Sequence, residues 1–295
     1  MKIHIVESMA LSVEQKARLK KLGKVKYFVG IPDTNELLKR MSGADIIALD
    51  WAPLDAAIPK MKAGVKLISL PFTGVGFLPL KAAAAKGVKI ANAPHPFTES
   101  VGEFGIGLII ALVRKICFYR NELKPELTPA LYGKTLGILG AGHIGAYVGK
   151  VAEALGMRVL FWRRGDKLVS ILKNSDIVYC ALPFSDETKG LLGAKEFGAM
   201  KRGAFFVTTS HHKIYDSAAL LKALDKNIAG AAMDLEGTNC GDYSSEPWCK
   251  FKAHAKVLAT PHVAFKSDYG QACAYNVMID NIEAFVRGKP QNIVN

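Results

Sequence analysis

The sequence predicts an α/β protein built from two doubly wound parallel-sheet domains, and three observations carry that expectation. Short apolar runs alternate with helical patterns from Met1 to about Ala91. The same alternation restarts at Thr135, and Gly140-Ala141-Gly142-His143-Ile144-Gly145 stands where that second series turns from its first strand into its first helix. Strand–helix alternation implies parallel strands covered by helices on both faces. A chain of 295 residues also exceeds the roughly 100–200 residues of a usual single domain.

In the first series, residues 4–6, 25–29, 45–49, 65–70 and 88–91 read as strands, and residues 13–22 and 34–41 place apolar side chains at helical spacing. In the second, strands are expected at 136–139, 159–162, 177–182, 204–208, 231–235 and 257–259. A long helix over about 99–121 joins the two series, and a helix over 267–287 follows the last strand. That last helix comes too late for the second sheet, so the chain is expected to return to the first unit. The organisation that follows is a flavodoxin-like substrate domain, residues 1–98 plus 268–295, with a Rossmann dinucleotide-binding domain, residues 99–267, inserted into it. A cleft between two such domains is where a small substrate would meet a cofactor.

Composition narrows the function classes. Apolar residues make up 50% and charged residues 22% of the chain, which excludes a disordered or collagen-like protein. The most apolar stretch, residues 104–113, is about half of the ~18 residues that a membrane span needs, so no membrane partner is expected. The start, Met1-Lys2-Ile3-His4-Ile5-Val6, reads as a strand and not as a signal peptide. Five cysteines, at 117, 180, 240, 249 and 273, form an odd set without paired short spacing, which argues for a reducing cytoplasm and against a disulfide framework or zinc knuckle. Cys240, Cys249, His254 and His262 match no common metal-site spacing, and no metal is expected. The net charge of +13 is spread along the chain without a block of like charges or a basic stripe, which reads as solvated surface and not as a nucleic-acid interface.

The glycine segment carries the strongest chemical signal. Gly140 permits a tight turn off a strand, Gly142 lets backbone approach a pyrophosphate, and Gly145 allows close helix contact. The following helix N-terminus, at His143 and Ile144, offers free N–H groups to anionic oxygens. The preceding strand, the following helix and the next strand supply the context that makes such a motif a dinucleotide site. An acidic residue about 20 positions downstream normally binds the ribose 2′-OH. Here the strand ends in Trp162-Arg163-Arg164-Gly165. Two arginines in place of a carboxylate point to a 2′-phosphate, hence NADP rather than NAD, unless they are merely solvated strand-end charges.

Together these residues resemble the D-2-hydroxyacid dehydrogenases. The likeness runs almost end to end: Thr73-Gly74-Val75-Gly76, Asn92-Ala93-Pro94, Ser100-Val101-Gly102-Glu103, the run from Gly133 to Gly140, Ala181-Leu182-Pro183 with Thr188, Met200-Lys201-Arg202-Gly203-Ala204, Thr260-Pro261-His262-Val263-Ala264 and Gly288-Lys289-Pro290. The resemblance implies hydride transfer between a nicotinamide and C2 of a small 2-hydroxy or 2-keto acid, in a homodimer. It also implies cofactor contacts from Thr98, Leu182, Pro183, Thr188, Thr209, Ser210, Asp234, His262 and Ala264, with the alternative that Asp234 caps a turn.

Reducing a ketone needs a proton donor, and a histidine can give and retake a proton near neutral pH. His262, after Pro261 at a strand end, fits that role; a packing role is the alternative. Two other positions depart from the family's pattern. His211 stands where the resemblance implies an arginine, with His212 in place of its glycine neighbour. An imidazole lacks the two-pronged fork that clamps a carboxylate. Asn239 stands where a glutamate usually pairs with the catalytic histidine; an amide can orient His262 but cannot stabilise an imidazolium by charge. Glu236, Asp242 or Glu246 could fold back to supply a carboxylate.

The sequence thus points to an NADP(H)-dependent oxidoreductase acting on a small 2-hydroxy or 2-keto acid or related carbonyl compound. In it His262 is the acid/base, Asn239 orients it, and His211 with the Val75 and Gly76 backbone anchors the substrate. The alternative is a catalytically impaired dinucleotide-binding protein that senses NADP(H).

Overall fold

The computed structural model describes residues 1–118, 127–235, 244 and 248–295. The chain divides into two compact units, Met1–Phe97 with Asp268–Asn295 and Thr98–Ser267.

The first unit contains, in chain order, β1 (Lys2–Ile5), α1 (Val13–Leu22), β2 (Lys24–Tyr27), α2 (Thr34–Met41), β3 (Ile46–Ala48), α3 (Leu54–Ala57), β4 (Leu67–Ser69), α4 (Leu80–Ala85) and β5 (Lys89–Ala91). The strands are all parallel in the order β2-β1-β3-β4-β5, the flavodoxin-like arrangement. Local signals start the helices. Ser12 and Gln15 form a reciprocal capping box at α1, and the Asp33 carboxylate accepts the Glu36 N–H at α2. Edge strand β2 presents Lys24 and Lys26 to solvent, whereas the inner strands β3 and β4 are wholly buried.

The second unit begins at Thr98 with α5 (Thr98–Val113), followed by β6 (Thr135–Leu139), α6 (His143–Ala154), β7 (Arg158–Trp162), α7 (Leu168–Asn174), β8 (Ile177–Cys180), α8 (Ala194–Ala199), β9 (Ala204–Thr208), α9 (Ser217–Lys226), β10 (Ile228–Asp234), α10 (Trp248–Ala253) and β11 (Val257–Thr260). Its parallel sheet runs β11-β10-β9-β8-β6-β7, so the strand order reverses between β6 and β8. The final helix, α11 (Asp268–Val286), belongs to the first unit. It buries Tyr275, Met278, Ile279 and Ile282 against Ile3, Ile5 and Leu67, and the Ser69 hydroxyl donates to the Met278 carbonyl at 2.8 Å.

One expected element is shorter than its sequence pattern. The helix expected over 99–121 stops at Val113, because Lys115 takes a left-handed conformation (φ 55°). The Ile116 N–H then bonds the Ala111 carbonyl and the Lys115 N–H bonds the Leu112 carbonyl. This pairing satisfies the last helical carbonyls and turns the chain away. The adjacent Arg114 and Lys115 charges favour a stop there by opposing the negative end of the helix dipole.

At the carboxyl edge of the first sheet, between β1 and β3, lies an acidic pair, buried Glu7 and half-buried Asp50. Glu7 is 1% exposed; its Oε1 accepts the N–H groups of Asp50, Trp51 (2.9 Å) and Ala52 (3.4 Å), while Oε2 has no partner among the described residues. Burial, and secondarily the Glu7 charge, push the Asp50 carboxyl up to about 6, although the Tyr275 hydroxyl bonded to it acts the other way. The folded state therefore binds this proton more tightly than the unfolded chain, and its contribution to stability falls as pH rises from about 4 through about 6. Asp50→Asn should raise stability by about 1–3 kcal/mol at pH 7.5 and flatten the pH dependence in that window. Urea midpoints between pH 4 and 8 test this; an unchanged slope would contradict it.

Candidate active site

The strand-order reversal of an open parallel sheet leaves a crevice beyond the strands' carboxyl ends. In the second unit that crevice opens between β6 and β8, with a volume of about 570 Å³. Gly140, Ala141, Gly142, Arg163, Arg164, Leu182, Pro183 and Thr188 line it, together with Trp162, Ser185, Glu187 and Leu191. A volume in the range of roughly 300–1,000 Å³ suits a small-molecule site.

The residues fit a dinucleotide. Gly140 has φ +104°, and a side chain there would lie 2.9 Å from the Ala181 carbonyl oxygen. A Cβ at position 145 would sit 2.0 Å from the Gly140 carbonyl oxygen, so only glycine lets α6 press against the turn. Gly142, the residue before α6, has open space where a Cβ would be and makes no side-chain cap. Gly142 thus offers no side-chain acceptor of its own to the first-turn amides of α6, and a helix N-terminus of this kind receives phosphate oxygens.

The walls of the crevice are tightly hydrogen-bonded turns. Beyond β7, the Arg163 N–H donates to Asp166 Oδ2 (2.8 Å), the Asp166 N–H to the Arg163 carbonyl (3.0 Å) and Trp162 Nε1 to the Asp166 carbonyl (3.0 Å). The Arg164 guanidinium pairs with Glu187 across the crevice, and the Arg163 guanidinium has no partner among the described residues. Beyond β8, Thr188 Oγ1 donates to the Pro183 carbonyl (2.7 Å) and accepts the Ser185 N–H (2.8 Å).

The later strands end on the same edge of the sheet. Past β9, Thr209 Oγ1 meets the Tyr179 hydroxyl (2.7 Å), and the Ser210 hydroxyl donates to the Cys180 carbonyl (3.1 Å). His211 stacks against Phe184 and against His212, both at 4.5 Å. Its Nδ1 accepts the Lys213 N–H at 3.0 Å, which places the ring proton of the neutral form on Nε2.

Asp234, 3% exposed at the end of β10, ties down the segment that carries His262. Its Oδ1 accepts the Thr260 hydroxyl (2.6 Å) and the Val263 N–H (3.0 Å), and its Oδ2 accepts the Ala264 N–H (2.8 Å). Asp234 therefore caps this turn, with both oxygens engaged. His262 stands at the turn's apex in a left-handed conformation (φ 49°), exposed, with its ring edge-on to Phe265 at 5.2 Å. A non-glycine residue at positive φ is costly and persists only where neighbouring bonds hold it; the three bonds to Asp234 do so.

In the first unit, Val75 and Gly76 lie on the loop after β4. Thr73 secures this loop by donating to the Ala93 carbonyl (2.8 Å), and Asn92 Nδ2 donates to the Thr73 carbonyl (2.8 Å). Thr98 opens α5. Asn239, with Glu236, Asp242 and Glu246, lies outside the described residues.

Residues 106–264 match the family described as D-isomer specific 2-hydroxyacid dehydrogenase, NAD binding domain, a span that covers the crevice, Asp234 and His262. The chain belongs to that family. The D-isomer specific 2-hydroxyacid dehydrogenases are nicotinamide-dependent oxidoreductases, and relatives align along most of this chain. A glycerate dehydrogenase from Methylorubrum extorquens is 34% identical over 281 residues, covering 88% of each chain. A glyoxylate reductase from Korarchaeum cryptofilum is 30% identical over 294 residues, covering 90% of this chain and 86% of its own. Among solved structures, the TT0316 protein from Thermus thermophilus superimposes with a TM-score of 0.84 at 28% identity, covering all of both chains. Among the described residues of this family member, no helix is long and apolar enough to cross a membrane.

Sequence reasoning missed Glu187, Phe184 and the engagement of both Asp234 oxygens. Glu187 follows no motif and meets Arg164 only through folding. Thr260 preceding Pro261-His262 was the one hint of a partner for Asp234. Asp234→Ala would leave the Val263 and Ala264 N–H groups unpaired and should cost about 2–3 kcal/mol, read as a lower denaturant midpoint. Gly145→Ala should cost about 1–3 kcal/mol and weaken dinucleotide binding, because α6 must move off the turn; unchanged stability and affinity would contradict the close approach.

Proposed function

We propose that this family member is an NADP(H)-dependent oxidoreductase that interconverts small 2-hydroxy and 2-keto acids or related carbonyl compounds, with His262 as the acid/base. The observation that carries this reading is the position of His262. It stands exposed and pinned through Asp234 on the same sheet edge as the glycine-lined crevice. When bound, the nicotinamide supplies or accepts the hydride.

The chain's own residues divide the remaining work. The turn at Gly140 and Gly142 and the amides of α6 hold the pyrophosphate. Arg163 offers its guanidinium to the 2′-phosphate, which supports NADP over NAD. His262 gives its proton to the carbonyl oxygen during reduction and takes it back during oxidation. Asn239 orients His262. His211, with its Nδ1 held by Lys213, donates from Nε2 to a substrate oxygen, and the N–H groups of Val75 and Gly76 anchor the substrate. Thr98, Leu182, Pro183, Thr188, Thr209, Ser210 and Ala264 complete the cofactor's surroundings, with Thr188, Ser210 and Asp234 acting through the turns that they brace. The reading includes a homodimer in the cytoplasm.

Single-turnover NADPH oxidation with a panel of 2-keto acids, glyoxylate and hydroxypyruvate among them, should show consumption with at least one. His262→Ala should lower kcat by about 10²–10⁴-fold. Tight NADPH binding without turnover on any substrate would overturn the enzymatic reading and leave a cofactor-binding protein.

A further inference from the structure

We propose that Glu187 narrows the cofactor selectivity of this chain by competing with the 2′-phosphate of NADP for Arg164. The proposal rests on the NADP reading above and adds to it a residue on the opposite wall of the crevice.

The turn that carries Arg163 and Arg164 is closed by Asp166, whose carboxylate is occupied by the Arg163 N–H and whose carbonyl accepts Trp162 Nε1. Asp166 thus shapes the backbone and is committed to the main chain. The facing turn is braced by Thr188 through the Pro183 carbonyl and the Ser185 N–H, with the Thr188 and Lys189 N–H groups both returning to the Ser185 carbonyl. Glu187 is presented from that braced turn, and its Oε2 accepts from Arg164 Nη2 across the mouth of the crevice. Both side chains are largely solvent-exposed, at 80% for Arg164 and 64% for Glu187.

Of the two strand-end cations, Arg164 is neutralised by Glu187 and only Arg163 is available as a net charge, so the lining charge of this trio is a single positive unit. A dianionic phosphate entering beside them must draw Arg164 away from Glu187 and accept a carboxylate nearby. The ribose 2′-OH of NAD makes neither demand, and a carboxylate can accept its hydrogen bond as the missing strand-end acid would. Glu187 therefore narrows the preference for NADP that the arginine pair would otherwise create. An exposed ion pair is weak, so the effect is a modulation and not a block.

The test is direct binding of NADPH and NADH to the full chain, followed by nucleotide fluorescence. Glu187→Gln should tighten NADPH roughly three- to tenfold and leave NADH unchanged or weaker, a gain that shrinks in about 0.5 M salt. The gain should vanish when Arg164→Ala is added. Arg163→Ala should weaken NADPH by roughly tenfold or more with little effect on NADH. Equal changes for both nucleotides in Glu187→Gln, or none, would overturn the role of Glu187. If Arg163→Ala also leaves NADPH untouched, the NADP reading itself fails; if Arg163→Ala weakens NADPH while Glu187→Gln is silent, only the present inference fails.

Discussion

The close approach of α6 to the end of β6 is the constraint on which the second unit depends. At position 145 the helix backbone lies so near the Gly140 carbonyl that no Cβ fits. The same economy recurs around it. A Cβ at 149 would strike Phe161, one at 102 the ring of Tyr147, and one at 105 the Tyr179 hydroxyl. Two helices, α5 and α6, thus settle on each other and on the sheet through positions without side chains. Closeness there aims the helix N-terminus at the crevice and gives a turn of plain backbone its capacity for an anion.

Around that centre the carboxyl edge of the sheet is braced by polar groups that are buried and satisfied. Thr188, Thr208, Ser210 and Asp234 each commit their side chain to the backbone or side chain of a neighbouring loop. Buried polar groups are costly unless paired, so each pairing fixes one loop geometry among many. Asp234 shows what this achieves. Its carboxylate holds the 260–264 turn in a shape that a histidine would not adopt unaided. His262 on this edge is exposed, and Asp234, which holds its turn, is buried.

How much of this was legible in the sequence depended on whether the cause was local. Every expected strand formed within a few residues of its apolar run, and the glycine spacing placed the crevice, because periodicity and backbone freedom are properties of neighbours in the chain. The helix into residue 121 was overestimated because its stop is a lysine in a conformation usually taken by glycine. The Arg163-Arg164 pair was visible as charge, yet its partition was not, since Glu187 arrives from another loop. Glu7 gave no signal at all: a lone acid after the first strand becomes a buried acceptor for three consecutive backbone donors only once β3 lies beside β1.

Parallel sheets carry one further obligation. Each has two outermost strands whose backbone groups on one side await a partner, and an uncovered ladder invites another molecule to extend the sheet. In the first unit, β2 meets solvent with Lys24 and Lys26. Ammonium groups on such a border repel a second copy of the same border and stay hydrated. Some of the chain's surplus of cations thereby acts as a guard against fibrous self-association, a service that requires no anionic guest.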